Sequence, residues 1–128
     1  VNHIVKTPIW TDSGRILPLQ NRAEDELKTM FANCCNNDVL TILNGKLYRC
    51  PFSANATNLN AIPISQDELI DLGEEESGRE LSQKISELYY EKAYLTACSY
   101  CNGRDYTTPY IEPAIQTKHV LPMPIIKQ

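Results

Sequence analysis

The sequence has no long hydrophobic run and no cluster of basic residues, and each absence excludes a class of protein. None of its apolar stretches approaches the roughly 20 residues that a membrane-spanning helix needs. Its 12 Lys and Arg residues are scattered singly among 16 Asp and Glu residues, which gives a formal net charge of −4. Phosphate backbones are bound by clustered cations, so nucleic acid is not expected as the main partner. We therefore expect neither a membrane nor a nucleic-acid partner.

The first residues also lack the charged-then-apolar pattern of a secretory signal. Together with the odd number of five cysteines, this absence argues against the disulfide framework of a small secreted domain. We therefore expect reduced thiols and a cytoplasmic protein. The chain begins at Val1 rather than at methionine, and apolar, strand-like pairs follow closely at residues 4–5 and 9–10. Such a start is expected of a piece cut from a longer protein.

No arrangement of residues typical of common catalytic sites is present. The sequence contains no Ser/His/Asp pattern, no glycine-rich phosphate loop and no paired carboxylates that rise above chance. His3 and His119 are solitary, and isolated histidines are more often solvated side chains than metal ligands. The cysteines are therefore the residues from which a function has to be argued.

Turn residues and hydrophobic periodicity predict a small α+β domain. Apolar residues at helical spacing, with acids at 24–26, indicate a helix over residues 22–33 with Asn21 as its N-cap. The Asn44-Gly45 pair lies between two apolar runs and predicts a β-hairpin over residues 39–50, because Asn-Gly is favoured in two-residue type I′ turns.

The second half of the domain is predicted to contain a loop and a long helix. Residues 51–77 are expected to be a loop with one helical turn at 65–69, opened by the capping box Ser65 to Glu68. A second capping box, Ser77 to Glu80, opens the longest predicted helix, over residues 79–96. That helix is expected to deliver the last two cysteines at its C-terminal end. The residues after it are rich in proline and are predicted to be extended.

The spacing of the cysteines is typical of a set of metal ligands. Cys34 and Cys35 lie at the C-terminal end of the first predicted helix, Cys50 lies at the end of the hairpin, and Cys98 and Cys101 form a Cys-x2-Cys pair. Four thiolates gathered in this way hold a tetrahedral zinc ion or an iron–sulfur cluster. Only one of the adjacent pair is needed, and the spacing fits either. The alternative is that all five are small buried hydrophobic side chains.

The residues after the Cys-x2-Cys pair favour the ligand interpretation. Asn102-Gly103 directly follows Cys101 and predicts a tight turn whose backbone N–H groups point at the sulfurs. Gly103 would supply the positive φ of such a turn. A thioredoxin-like redox pair is less consistent with the sequence, because there the Cys-x2-Cys starts a helix instead of following one.

These residues carry a resemblance to a known family. Counted from Cys35, the first part reads Cys-x9-Gly-x4-Cys through Gly45 to Cys50, and a long gap leads to the Cys-x2-Cys pair. This pattern resembles the SPASM domain, the auxiliary-cluster domain of many radical S-adenosylmethionine enzymes, most closely over residues 45–55 and 95–105. A full SPASM domain continues with further cysteines and holds two clusters, whereas no cysteine follows Cys101 here. The chain therefore resembles the shortened form, the twitch domain.

The resemblance implies one [4Fe–4S] cluster bound by Cys50, Cys98, Cys101 and either Cys34 or Cys35. It implies a linker and the end of a preceding core domain over residues 1–22, the auxiliary domain over 23–105 and an extended tail over 106–128. The helix, hairpin, loop and long helix would then surround a four-cysteine site.

The resemblance also implies that this chain is a fragment of an oxidoreductase and is not catalytic on its own. The Cys-x3-Cys-x2-Cys loop that binds the catalytic cluster and S-adenosylmethionine is absent from the sequence. The expected partners are therefore the radical S-adenosylmethionine core domain of the same full-length chain and a peptide or small-molecule substrate. The auxiliary cluster would relay an electron or help to position that substrate.

Two other functions are left open. One is a structural zinc-binding interaction module, and protein prepared in air is expected to lose its iron and to carry zinc or no metal. Zinc ribbons usually use two Cys-x2-4-Cys pairs, whereas the first pair here is widely spaced, which favours the cluster. The other is a metal-free peptide-binding domain whose fold does not need the cysteines.

Overall fold

The computed structural model describes residues 10–12, 15–73, 78–113 and 118–119. The chain divides into two compact units, residues 13–108 and the terminal segments 1–12 and 109–128. In the terminal unit, β1 (Trp10–Thr11) pairs antiparallel with a strand at Tyr110–Ile111, labelled β5 in chain order. All five cysteines belong to the other unit.

Residues 13–108 form a small α+β fold, as predicted. The elements in chain order are α1 (Glu24–Ala32), β2 (Thr41–Leu43), β3 (Lys46–Tyr48), α2 (Pro51–Asn58), β4 (Leu69–Asp71) and α3 (Gly78–Tyr90). Two short 3-10 helices complete them, Gln66–Glu68 before β4 and Thr96–Tyr100 after α3. Among the described residues, no helix is long and apolar enough to cross a membrane.

The antiparallel sheet has the strand order β2-β3-β4 and is built on the predicted hairpin. Asn44 and Gly45 have φ angles of 51° and 75°, the left-handed values that a type I′ turn requires. The β2–β3 ladder ends at the Thr41–Tyr48 pair, so Cys50 lies beyond it and starts α2 instead of extending the strand. The hairpin prediction is confirmed, with shorter strands than expected.

Helix α1 is also confirmed, but its start differs from the prediction. Ala23 is the N-cap instead of Asn21. The backbone N–H of Ala23 donates to Oε2 of Glu26 at 2.9 Å, which satisfies a group at the helix start without a polar N-cap side chain. The acids of the first turn lie at the positive end of the helix dipole, as expected.

The loop predicted for residues 51–77 was wrong in two places, because it contains α2 and β4. Pro51 occupies the first turn of α2, where the missing N–H of proline costs nothing. Ala54 and Ala56 are each only 1% exposed, so small side chains bury this helix without the large apolar residues that signal one. The helical turn at 66–68 is confirmed, although Ser65 donates to Oδ1 of Asp67 at 2.7 Å instead of capping it.

The long helix is shorter than predicted. Helix α3 ends at Tyr90, not near residue 96, and the cysteine pair lies on the separate 3-10 helix Thr96–Tyr100 and just after it. The helix ends early because Leu95, which is 1% exposed, packs with residues of α1 and α2. The apolar side of α3 packs against the sheet instead. The capping box that begins at Ser77 lies outside the described residues.

The unit has two hydrophobic cores. The larger one joins α1, α2 and the second 3-10 helix, and its buried members are Leu27, Phe31, Cys50, Ala56, Ile62, Leu95, Ala97 and Cys98. The smaller one joins the sheet to α3 through the cross-strand pair Leu47 and Ile70, which packs with Leu88. Two cysteine side chains are thus part of the main core.

A buried arginine lies between these elements. Arg49 is 4% exposed, and its guanidinium donates to the carbonyl oxygens of Asn37, Val39 and Tyr89. It also lies over the rings of Phe31 and Tyr89, at 5.5 and 4.3 Å from their centroids. Burial lowers the pKa of Arg49, and the carbonyl and ring contacts offset the cost of burying its charge.

We predict that Arg49→Met lowers the free energy of unfolding by about 2–3 kcal/mol, because three carbonyl oxygens lose their donor at once. Chemical denaturation measures the loss. The matched control is Arg79→Met, which removes an exposed arginine from the first turn of α3. Equal losses in the two variants would contradict a stabilising role for the buried guanidinium.

Candidate functional site

Four of the five thiols line one cavity of about 30 Å³. They are Cys34, Cys50, Cys98 and Cys101, and Cys35 is not among the lining residues. The rest of the wall is Met30, Phe31, Asn36, Phe52, Ala97 and Arg104. We call this space the thiol cavity. Its volume exceeds the roughly 10–15 Å³ that one water molecule needs.

Three separate segments bring the four thiols together. Cys34 follows the C-cap of α1, and Cys50 is the N-cap of α2. Cys98 lies on the second 3-10 helix, and Cys101 is its C-cap. One early cysteine, the hairpin cysteine and both cysteines of the Cys-x2-Cys pair therefore line the same cavity.

The structure distinguishes between the two adjacent cysteines that the sequence leaves equivalent. Cys34 lines the thiol cavity. Cys35 makes a backbone contact instead, since its N–H donates to the carbonyl oxygen of Arg104 at 2.8 Å. This hydrogen bond holds the corner after α1 against the residues that follow Cys101, so the backbone of one cysteine positions the side chain of the other.

Backbone N–H groups donate to three of the four sulfurs. Ser53 N–H lies 3.2 Å from Sγ of Cys50, Gly103 N–H lies 3.4 Å from Sγ of Cys101, and Asn36 N–H lies 3.5 Å from Sγ of Cys34. Such hydrogen bonds stabilise thiolate charge and tune the potential of a bound cluster. The turn predicted after Cys101 therefore forms, and the other two donors were not predicted.

Glycine is required at position 103. Its φ of +71° is in the left-handed region, which side chains with a Cβ rarely adopt. A Cβ there would lie 2.8 Å from Cγ and 3.0 Å from Sδ of Met30, another residue of the cavity wall. The close approach of this turn to α1 brings the Gly103 N–H to the Cys101 sulfur and closes one side of the cavity.

Arg22 holds the Cys-x2-Cys segment from outside, a role that sequence reasoning missed. Its Nη1 donates to the carbonyl oxygens of Cys98 at 2.8 Å and Cys101 at 2.7 Å. The preceding backbone runs alongside, because Leu17 N–H and Gln20 N–H donate to carbonyls of the same 3-10 helix at 2.8 Å. No local pattern links Arg22 to cysteines so distant in sequence.

Burial favours the protonated form of the Cys50, Cys98 and Cys101 thiols in the metal-free protein. Burial raises the pKa of Cys50 to about 11 and that of Cys98 to about 12, and it also raises the pKa of Cys101. The Gly103 N–H and the charge of Arg22 oppose the shift at Cys101. A cation that binds these sulfurs must therefore displace protons, since only thiolates are ligands.

A half-buried carboxylate supports the segment that carries the cysteine pair. Oε1 of Glu68 accepts the N–H of Thr96 at 2.7 Å and its hydroxyl at 3.0 Å, at the first residue of the second 3-10 helix. Burial raises the pKa of Glu68. The side chain thus satisfies a helix N-terminus that has no side-chain cap of its own, and no local sequence pattern predicts this contact.

Of the two histidines considered as metal ligands, only one lies among the described residues. His119 is exposed and makes contacts of its own, while His3 lies outside the described residues. Within the described part of the chain, no group of three or more His, Cys, Asp or Glu side chains stands in an arrangement that could hold a metal ion. Comparisons with protein-family models, curated proteins and solved structures found no match.

We predict that Gly103→Ala lowers the free energy of unfolding by about 1–3 kcal/mol, because the new Cβ meets Met30 and the positive φ is strained. Gly78→Ala is the matched control, since a Cβ at Gly78 meets nothing within 4 Å. Thermal or chemical denaturation measures both. An equal effect at the two glycines would show that the turn does not need glycine.

We predict that the metal-free, reduced protein loses stability above about pH 9. The pKa of Cys98 rises from 9.0 to about 12 on folding, so its contribution is complete below the lower value and is lost as the pH rises toward the higher one. Urea unfolding at several pH values measures the slope. Cys98→Ala should reduce the slope, and the slope that remains comes from the other buried thiols, Cys50 and Cys101. Identical slopes in wild type and Cys98→Ala would contradict this.

Proposed function

We propose that this chain is an auxiliary [4Fe–4S] domain of a radical S-adenosylmethionine enzyme. The observation that carries the proposal is the thiol cavity: one early cysteine, the hairpin cysteine and the Cys-x2-Cys pair line the same small space. Backbone N–H groups at three of the sulfurs support it, because iron–sulfur ligands commonly accept such hydrogen bonds. The resemblance of the cysteine spacing to a twitch domain gives the family.

In this proposal Cys34, Cys50, Cys98 and Cys101 hold the cluster as thiolates. When bound, the cluster supplies a one-electron redox centre. The residues around it have roles of their own: Met30, Phe31 and Phe52 exclude water, and the N–H groups of the turns stabilise the thiolate charge. Arg22 fixes the carbonyl side of the Cys-x2-Cys turn and so orients both of its sulfurs.

The proposed domain supports chemistry that takes place elsewhere. Catalysis belongs to a core domain that binds S-adenosylmethionine in the full-length chain, in the reducing environment of the cytoplasm. The substrate is a peptide or a small molecule, and the cluster relays an electron or helps to position it. The domain alone is therefore expected to be redox-active and to have no turnover.

The experiment is anaerobic reconstitution of the reduced chain with iron and sulfide. We expect about four irons and four sulfides per chain, together with the broad sulfur-to-iron charge-transfer absorption of a [4Fe–4S] cluster. The measurements are metal and sulfide analysis, visible absorption, and electron paramagnetic resonance after reduction. Electron paramagnetic resonance separates an assembled cluster from iron bound nonspecifically.

The adjacent cysteines provide a matched pair of variants. Cys34→Ala should lose the intact cluster, whereas Cys35→Ala should assemble it as the wild type does, because only Cys34 lines the cavity. The reverse result would contradict the ligand assignment. A chain that binds one zinc ion tightly and never assembles a cluster would be a structural zinc module instead. A wild-type chain that takes up neither a cluster nor zinc, and whose fold survives replacement of all five cysteines by Ser, would exclude both.

A further inference from the structure

A second cavity lies along the outer edge of the sheet and shares no lining residue with the thiol cavity. Its volume is about 470 Å³, within the roughly 300–1,000 Å³ of typical ligand sites. One wall is β4, and the other is the C-terminal half of α3 with the residues that follow it. We call this space the β4 groove.

The backbone of β4 is open toward this groove. β4 is an outer strand of the sheet, with β3 on one side only. The N–H of Leu72 donates to the carbonyl oxygen of Gly45 at 2.9 Å, which fixes the alternation of the antiparallel ladder. Ile70, opposite Leu47, therefore turns its backbone groups toward β3. The backbone groups of Leu69 and Asp71 point away from the sheet.

The outward edge of β4 coincides with the wall of the groove. All three residues of the strand line it, so Leu69 and Asp71, whose backbone groups face outward, border the space together with Ile70. Within residues 15–73 and 78–108, no other segment donates a backbone hydrogen bond to this edge. An open edge beside a groove is the arrangement to which extended peptides add as a further strand.

The charges of the groove favour a cationic occupant. Four carboxylates line it against two lysines. Lys92 forms an ion pair with Asp67, and Asp71 lies 3.9 Å from Lys46. The other two carboxylates are Glu91 and Glu87, which accepts a hydrogen bond from Nε2 of Gln83 at 2.8 Å, and Lys84 is the other cation of the groove.

The positions of these two acids are unfavourable in the chain itself. Glu87 and Glu91 are four residues apart at the C-terminal end of α3, and the last turn of this helix has no basic residue. Like charges at this spacing repel, and the negative end of the helix dipole adds to the repulsion. Both effects are relieved when a cation enters the groove.

We propose that the β4 groove binds an extended peptide segment with Lys or Arg at alternate positions. The peptide adds to β4 as a strand and hydrogen-bonds to the backbone groups of Leu69 and Asp71. Its alternate side chains lie on one face, so cationic residues can line up toward Glu87 and Glu91. The inference does not depend on any metal in the thiol cavity, so it stands or falls separately from the proposed function.

The test uses the full chain and a short synthetic peptide in which Lys alternates with Thr, followed by fluorescence anisotropy and by amide chemical shifts. We expect binding to weaken by about tenfold or more when Glu replaces Lys in the peptide. The largest shifts should occur at the amides of Leu69 and Asp71. Equal binding of the two peptides, or no binding of the Lys peptide, would overturn the proposal.

Two matched comparisons separate strand addition from simple charge attraction. Backbone N-methylation removes N–H donors from alternate residues of the peptide. Methylation of the residues whose N–H groups face β4 should abolish binding, whereas methylation of the residues between them should not. Glu91→Gln should weaken binding about fivefold, while Asp25→Asn, which removes an exposed acid from α1, should not change it. Equal effects in either comparison would overturn strand addition at this groove. Dimerisation through the Leu69 and Asp71 amides without peptide would assign the edge to a second copy instead.

Discussion

The fold depends on a buried cation that is satisfied by carbonyl oxygens. Arg49 follows β3 directly and donates to the carbonyls of Asn37 and Val39, between α1 and β2, and of Tyr89, near the end of α3. The two helices that these segments follow or end pack in different cores, α1 in the larger one and α3 in the smaller one. A guanidinium has enough donors to bind all three at once, which no other side chain does in this geometry. The same contacts place Cys50, the next residue, at the start of α2.

The parts of the fold that could be predicted are those encoded by neighbouring residues. Asn44-Gly45 specifies its turn through the two positive φ angles, and the acids of α1 mark a helix start, so both elements were found. α2 was missed because its burial comes from small residues without helical periodicity. The predicted end of α3 lies beyond the observed one, because Leu95 packs in the other core. This tertiary contact overrides the helix propensity of the residues around it.

The same distinction applies to the site. The spacing of the cysteines indicates the three segments that line the thiol cavity, and the local residues predict the turn at Gly103. The choice between Cys34 and Cys35 depends on a hydrogen bond to Arg104, and the support from Arg22 and Glu68 depends on contacts across much of the chain. Nothing in a single sequence specifies such pairs, because each side chain is ordinary in its own local context.

The contacts of Arg22 have a consequence for where the domain begins. The connection that precedes α1 is hydrogen-bonded to the 3-10 helix of the cysteine pair at three of its residues, Leu17, Gln20 and Arg22. It belongs to the compact unit of residues 13–108. A fragment cut at the first residue of α1 would keep every cysteine and every strand of the main sheet, yet it would leave four carbonyl contacts around Cys98 and Cys101 unmade. The minimal autonomous piece of this protein therefore starts ahead of its first helix.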